Sequence, residues 1–172
     1  MPNLDNPLGF IPARQGGAGK PNIIRRTLAT SAKVYPGQLS KNSAGLVTAV
    51  TAESDNVTGV VIGYADQALS SAVDKAALVV ENLEDVIFRV QCDGAVAEAD
   101  IGAYFKPLVV SSDTALKVSR FELDYSTKTT TIGKAGGTLG ARWELLGKVN
   151  EPGNDWGANC DVLVRFRRNL DA

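Results

Sequence analysis

Between residues 23 and 168 no apolar pattern runs long enough to make a helix of several turns; the chain is instead cut into short β-branched runs by Gly, Asn, Asp and Ser. Runs at 23–30, 38–41, 46–51, 58–65, 77–81, 86–92, 106–110, 115–123, 141–149 and 160–168 read as strands. Tyr35, Pro36 and Gly37 read as a turn between the first two. Many short strands at fairly regular spacing predict a mostly β protein, a small barrel or sandwich of antiparallel strands. Two alanine-rich pieces, 66–75 and 95–104, have room for one or two short helical turns.

The period of two is sharpest in two segments. Val86, Phe88, Val90 and Cys92 share one face, as do Cys160, Val162, Val164 and Phe166. Opposite the second set lie Asp161, Leu163, Arg165 and Arg167, so that face ends in paired positive charge. It reads as a solvated outer face with cross-strand ion pairs, and otherwise as a charged docking surface for a protein partner. In 143–149, Trp143, Leu145 and Val149 are the inward set.

Residues 1–22 have a different character from the body at 23–172. They hold four of the seven prolines and four glycines, yet Leu4, Leu8, Phe10 and Ile11 stand among them with no period. Proline removes backbone donors and glycine adds chain entropy, so the expectation is an extended N-terminal arm that does not fold alone and buries its apolar side chains on a partner.

Composition excludes several chemistries. Without histidine, and with only Cys92 and Cys160 as thiols, a zinc site lacks ligands and a Ser-His or Cys-His nucleophile lacks its base. Both cysteines fall on inward positions and read as buried reduced thiols; a disulfide between neighbouring strands is the alternative. Carboxylates remain as acid or base candidates, with Glu81, Glu84 and Asp85 around one turn and Glu98 and Asp100 around another. A glycoside-cleaving pair needs a cleft lined by aromatics, and only 6% of the residues are aromatic. The stretch 16–20 (GGAGK) fails as a phosphate loop because Arg14 and Pro21 stand at its anchor positions. The glycine-rich stretch 133–140 reads as a hairpin tip. No catalytic residue, metal or cofactor is expected.

Eighteen Lys and Arg against nineteen Asp and Glu leave no basic footprint for nucleic acid. No apolar run reaches the ~18 residues of a membrane span, and no secretory pattern opens the chain, so a cytosol-like compartment of synthesis is expected.

The order of segments resembles the head decoration, or capsid cement, proteins of tailed bacteriophages. The resemblance rests on 8–19 (LGFIPARQGGAG), the strand at 24–30, the Gly turn and strand at 36–41, the G-V-x-x-G of 59–63, 90–102 (VQCDGAVAEADIG), and the E-P-G-N-D-W-G loop feeding a last strand within 147–168. It implies a structural virion protein, made in the bacterial host cytoplasm, on the outer surface of an icosahedral head. There it would bridge major capsid subunits, beside neighbouring copies of itself as a trimer or dimer, and hold the shell against internal DNA pressure. Contacts to capsid or to a neighbouring copy would fall to Leu8, Phe10 and Ile11 of the arm with Arg14 at its rim, to Trp156, and to Arg165 and Arg167. A carbohydrate-binding or adhesion module on the virion surface is the alternative, with Trp143, Trp156, Tyr64 and Tyr104 as candidate stacking residues.

Overall fold

A computed structural model describes residues 3–13, 20–52, 56–68, 75–132 and 141–168. It is a β sandwich in which every ladder between the named strands is antiparallel. In chain order the strands are β1 (Ile11–Pro12), β2 (Ile23–Thr27), β3 (Lys33–Val34), β4 (Leu39–Ser43), β5 (Leu46–Ala49), β6 (Gly59–Val61) and β7 (Ala65–Asp66). They continue as β8 (Ala76–Val80), β9 (Ile87–Gln91), β10 (Tyr104–Leu108), β11 (Glu122–Thr129), β12 (Trp143–Lys148) and β13 (Asp161–Phe166). One sheet has the order β1-β9-β13-β12-β10-β11 and the other β2-β8-β6-β4-β5, with β3 and β7 as a separate ribbon. The six-stranded sheet curls until Cys92, just past β9, makes one parallel bridge to Leu123 of β11. One bridge does not close it, so the architecture is a sandwich and not a barrel.

The alternating patterns fall as the side-chain period requires. Phe88, Val90 and Cys92 join Trp143, Leu145, Cys160, Val162, Val164 and Phe166 in one core, and Leu39, Val60 and Val80 of the second sheet close it. The other face of that second sheet is also covered, because Val47, Val61, Ala77 and Val79 pack with Leu28, Val34 and Ala65. Two-sided burial explains why 58–65 and 76–80 are near-continuous apolar runs, as a strand wet on one face would alternate. The β4–β5 hairpin closes through Ala44 and Gly45, both at positive φ (50° and 82°), as a two-residue turn of that hand demands.

Several expectations change. Residues 115–123 are not a strand: Asp113 and Val118 bridge a tight loop, and β11 begins only at Glu122. The Asp113 carboxylate holds that loop by accepting from the backbone N–H groups of Ala115 and Leu116 and pairing with Arg120 at 3.2 Å. A single 3₁₀ turn, Glu98–Asp100, appears within 95–104. At the start of 66–75, Asp66 ends β7, while 69–74 lie outside the described residues. The stretch 133–140 is also outside them; the strands that precede and follow it, β11 and β12, both flank β10 and are not neighbours. No helix among the described residues is long and apolar enough to cross a membrane.

The largest change concerns the N-terminus. Residues 3–13 form a strap laid along the six-stranded sheet, not a separate arm: β1 pairs with β9, and Phe10 is fully buried in the main core. A sparse segment can order this way because neighbouring groups take up its backbone hydrogen bonds, so its few apolar side chains need not offset the ordering entropy alone.

Candidate functional site

Gly9 is where the strap turns inward. At φ 73° it directs Phe10 into the core, and the Phe10 N–H donates to the Gly37 carbonyl at 2.9 Å. The crossing leaves no room for a side chain. A Cβ on Gly9 would collide with the Gly37 carbonyl and come within 2.7 Å of the Ser119 Cβ. Inside, the Phe10 ring meets Trp143, which is also flanked by Phe88 and Phe166 at 5.7 and 5.2 Å between centroids.

Amide side chains fasten the rest of the strap. The Asn3 amide donates to the carbonyls of Asp155 and Ala158 at 2.7 and 2.9 Å, and its oxygen accepts from the Asp155 N–H. Gln91 of β9 donates to the Leu4 and Asn159 carbonyls and accepts from the Asn6 N–H. Arg120 donates to the Asn6 side-chain oxygen and the Pro7 carbonyl. The far wall is the loop 151–159, held by buried Asn154, whose amide donates to the Val149 and Asp161 carbonyls at 2.7 and 2.8 Å while its oxygen accepts from the Asp161 N–H.

Strap and loop enclose a groove of about 400 Å³ floored by Arg89, Val90 and Gln91. Its polar wall is internally satisfied, with Arg89 bonded to Glu151 at 2.7 Å and to Asp161 at 2.6 Å. Its other wall carries Leu4, Leu8 and Ile11, which are 78%, 43% and 39% exposed. Among the described residues no aromatic side chain lines it.

The expected contact residues therefore separate. Leu8 and Ile11 share the groove wall with Leu4, whereas Phe10 is consumed by the chain's own core and cannot be a partner anchor. Arg14 lies outside the described residues. Trp156 is half-buried, packed against the main core, and does not face the groove. Arg165 and Arg167 converge on Glu144 of β12, at 3.4 and 2.5 Å, so the positive row carries a cross-strand carboxylate with it. Asn3, Gly9, Arg89, Gln91 and Asn154, which build the groove, carry no sequence signal of that role. Only the E-P-G-N-D-W-G motif marked Asn154's loop as distinctive.

The carboxylates do not converge on the groove as a free acid and base. Glu81 pairs with Arg26 at 2.6 Å, Glu84 accepts from the Arg168 N–H, and Asp100 accepts from the Ala97 N–H and from Lys128. Burial tends to raise the Asp100 carboxyl, but the Lys128 ammonium and the Ala97 amide outweigh it and hold it below the ordinary range. Glu122 moves the other way, pushed up to about 7 by burial and by the negative charges of Asp5 and Asp93. No group of three His, Cys, Asp or Glu among the described residues could hold a metal ion. No protein-family model, curated protein or solved structure matches the chain.

Proposed function

We infer that the chain is a non-catalytic structural protein of a phage virion that attaches to the outer surface of the head and bridges major capsid subunits, alone or beside copies of itself. The row of Leu4, Leu8 and Ile11 carries this reading. Three large apolar side chains stand outward along the strap, Leu4 and Leu8 before the two-residue edge strand β1 and Ile11 within it, and the strap is pinned from beneath by Phe10. A pinned strap presents apolar surface without the ordering cost of a free arm, which is what a contact repeated many times over a shell requires. The order of sequence segments supports the same reading. A sugar-binding role has less behind it, because among the described residues the groove has no stacking aromatic and its Asn3, Gln91 and Asn154 amides are spent on backbone groups.

Co-sedimentation with mature heads of the encoding phage tests the reading. The wild-type chain is expected to pellet with heads and to raise the temperature at which they release DNA. The double substitution Leu8→Asp with Ile11→Asp, at exposed positions, is expected to fold and to remain in the supernatant. Equal binding by that variant would overturn the assignment of the strap, and unchanged DNA release with saturating protein would overturn the cement role.

A further inference from the structure

The only two cysteines of the chain stand opposite each other one residue beyond the paired ends of the adjacent strands β9 and β13. In the β9–β13 ladder Asp161 faces Gln91 and Val162 faces Val90, so one step further Cys160 faces Cys92; the Cys92 N–H donates to the Cys160 carbonyl at 3.0 Å. Both thiols point into the same core and both residues are fully buried.

We propose that Cys92 and Cys160 are a latent cross-strand disulfide, reduced in a reducing cytosol and closed in an oxidising medium. Directly opposed residues of an antiparallel pair have Cα atoms ~4.5 to 5.5 Å apart, inside the roughly 4.4 to 6.8 Å that a disulfide spans. Their Cβ atoms, ~4.5 to 5.5 Å apart in such a pair, need to approach by up to about 1 Å to reach disulfide geometry. A bond here would tie the end of β9 to the start of β13 and enclose β10, β11 and β12 in one covalent loop. Neither cysteine lines the groove, so the proposal does not rest on the proposed function.

Burial pushes the Cys92 thiol up to about 12 and the Cys160 thiol to about 11, so thiolate is scarce in the closed fold and oxidation proceeds during folding or opening. With glutathione disulfide as oxidant, one cysteine thiolate attacks a glutathione sulfur and expels a glutathione thiolate, giving a mixed disulfide. The second cysteine thiolate then attacks the protein sulfur of that bond and expels the other glutathione. Two protein thiols are oxidised, one glutathione disulfide is reduced to two thiols, and these take up the two protons.

The test is to equilibrate the full chain through refolding in glutathione buffers of graded redox ratio, with acid quenching, alkylation of free thiols and intact mass. A parallel series is held in denaturant. The expected product is a monomer lacking two hydrogens and free of glutathione, formed at a ratio of oxidised to squared reduced glutathione at least ~10-fold lower under native conditions than in denaturant, because the native register raises the effective concentration of one thiol at the other. Equal midpoints, glutathione adducts in place of the intramolecular bond, or a folded dithiol at the most oxidising ratio would overturn the proposal.

Discussion

The rings of Phe10 and Trp143 lie 4.4 Å apart between centroids, tilted by 38°, although the two residues come from opposite ends of the chain. This contact makes the N-terminal strap a structural part of the sandwich, since Trp143 is a fully buried residue of the central core. Phe10→Ala is expected to cost about 3 to 5 kcal/mol, the range for a large ring removed from a packed core. Denaturant unfolding followed by tryptophan fluorescence measures it, and a loss under 1 kcal/mol would show that the ring is not packed there.

Gly9 should be intolerant for two separate reasons. Its φ of 73° disfavours any Cβ, and the added atom would strike Gly37 and Ser119. Gly45 has a similar φ, 82°, but open space around it. Gly45→Ala therefore reports the conformational cost alone, about 1 kcal/mol, whereas Gly9→Ala should exceed it by at least ~1 to 2 kcal/mol. Matching losses in paired denaturation curves would remove the steric part of the argument.

Asn154→Ala deletes a side chain that satisfies three backbone groups of the loop 149–161. The Val149 and Asp161 carbonyls keep the Glu151 and Val149 N–H groups as donors, so the Asp161 N–H is the group left unpaired, and the expected cost is about 1 to 3 kcal/mol. Asn154→Asp keeps the acceptor for the Asp161 N–H but sets a carboxylate against two carbonyls, so it should not rescue stability. Thermal melts of the two variants check both statements.

Glu122 predicts a pH dependence of definite sign. Its folded pKa, near 7, lies above the ordinary value of 4.5. Between those values the folded chain holds more protons than the unfolded one, so this group's contribution to stability falls as pH rises from about 4.5 through 7. Glu122→Gln should flatten that fall and stabilise the protein at pH ~8 by on the order of 1 kcal/mol, a figure reduced for solvent screening of a half-buried carboxyl. Identical stability profiles for variant and wild type between pH 5 and ~8 would contradict the shift.

The inward faces of β9 and β13 were legible because strict alternation of Val, Phe and Cys has one solution in a sheet with a buried side. The turn at Pro36 and Gly37 was legible for a comparable local reason: Gly37 stands at φ 84°, and the Gln38 N–H donates to the Tyr35 carbonyl. Phe10 was not, since a single anchor gives no period, and the backbone bond that admits it comes from Gly37, far along the chain. Residues 115–123 misled because Ala, Leu and Val imitate a strand, while the deciding feature is the Asp113 carboxylate binding the loop's own amides. The groove joins residues 3–11 to 151–161, and no pattern within either segment announces the other.

The integration of the strap is tested most directly by hydrogen exchange of the free protein at single-residue resolution. The Phe10 and Ala13 amides, which donate to the carbonyls of Gly37 and Ile87, are expected to exchange as slowly as core amides of β9 and β13, through global unfolding. Exchange of Phe10 and Ala13 at the rate of an unstructured peptide, with β9 and β13 still protected, would contradict it and return the N-terminus to a free arm.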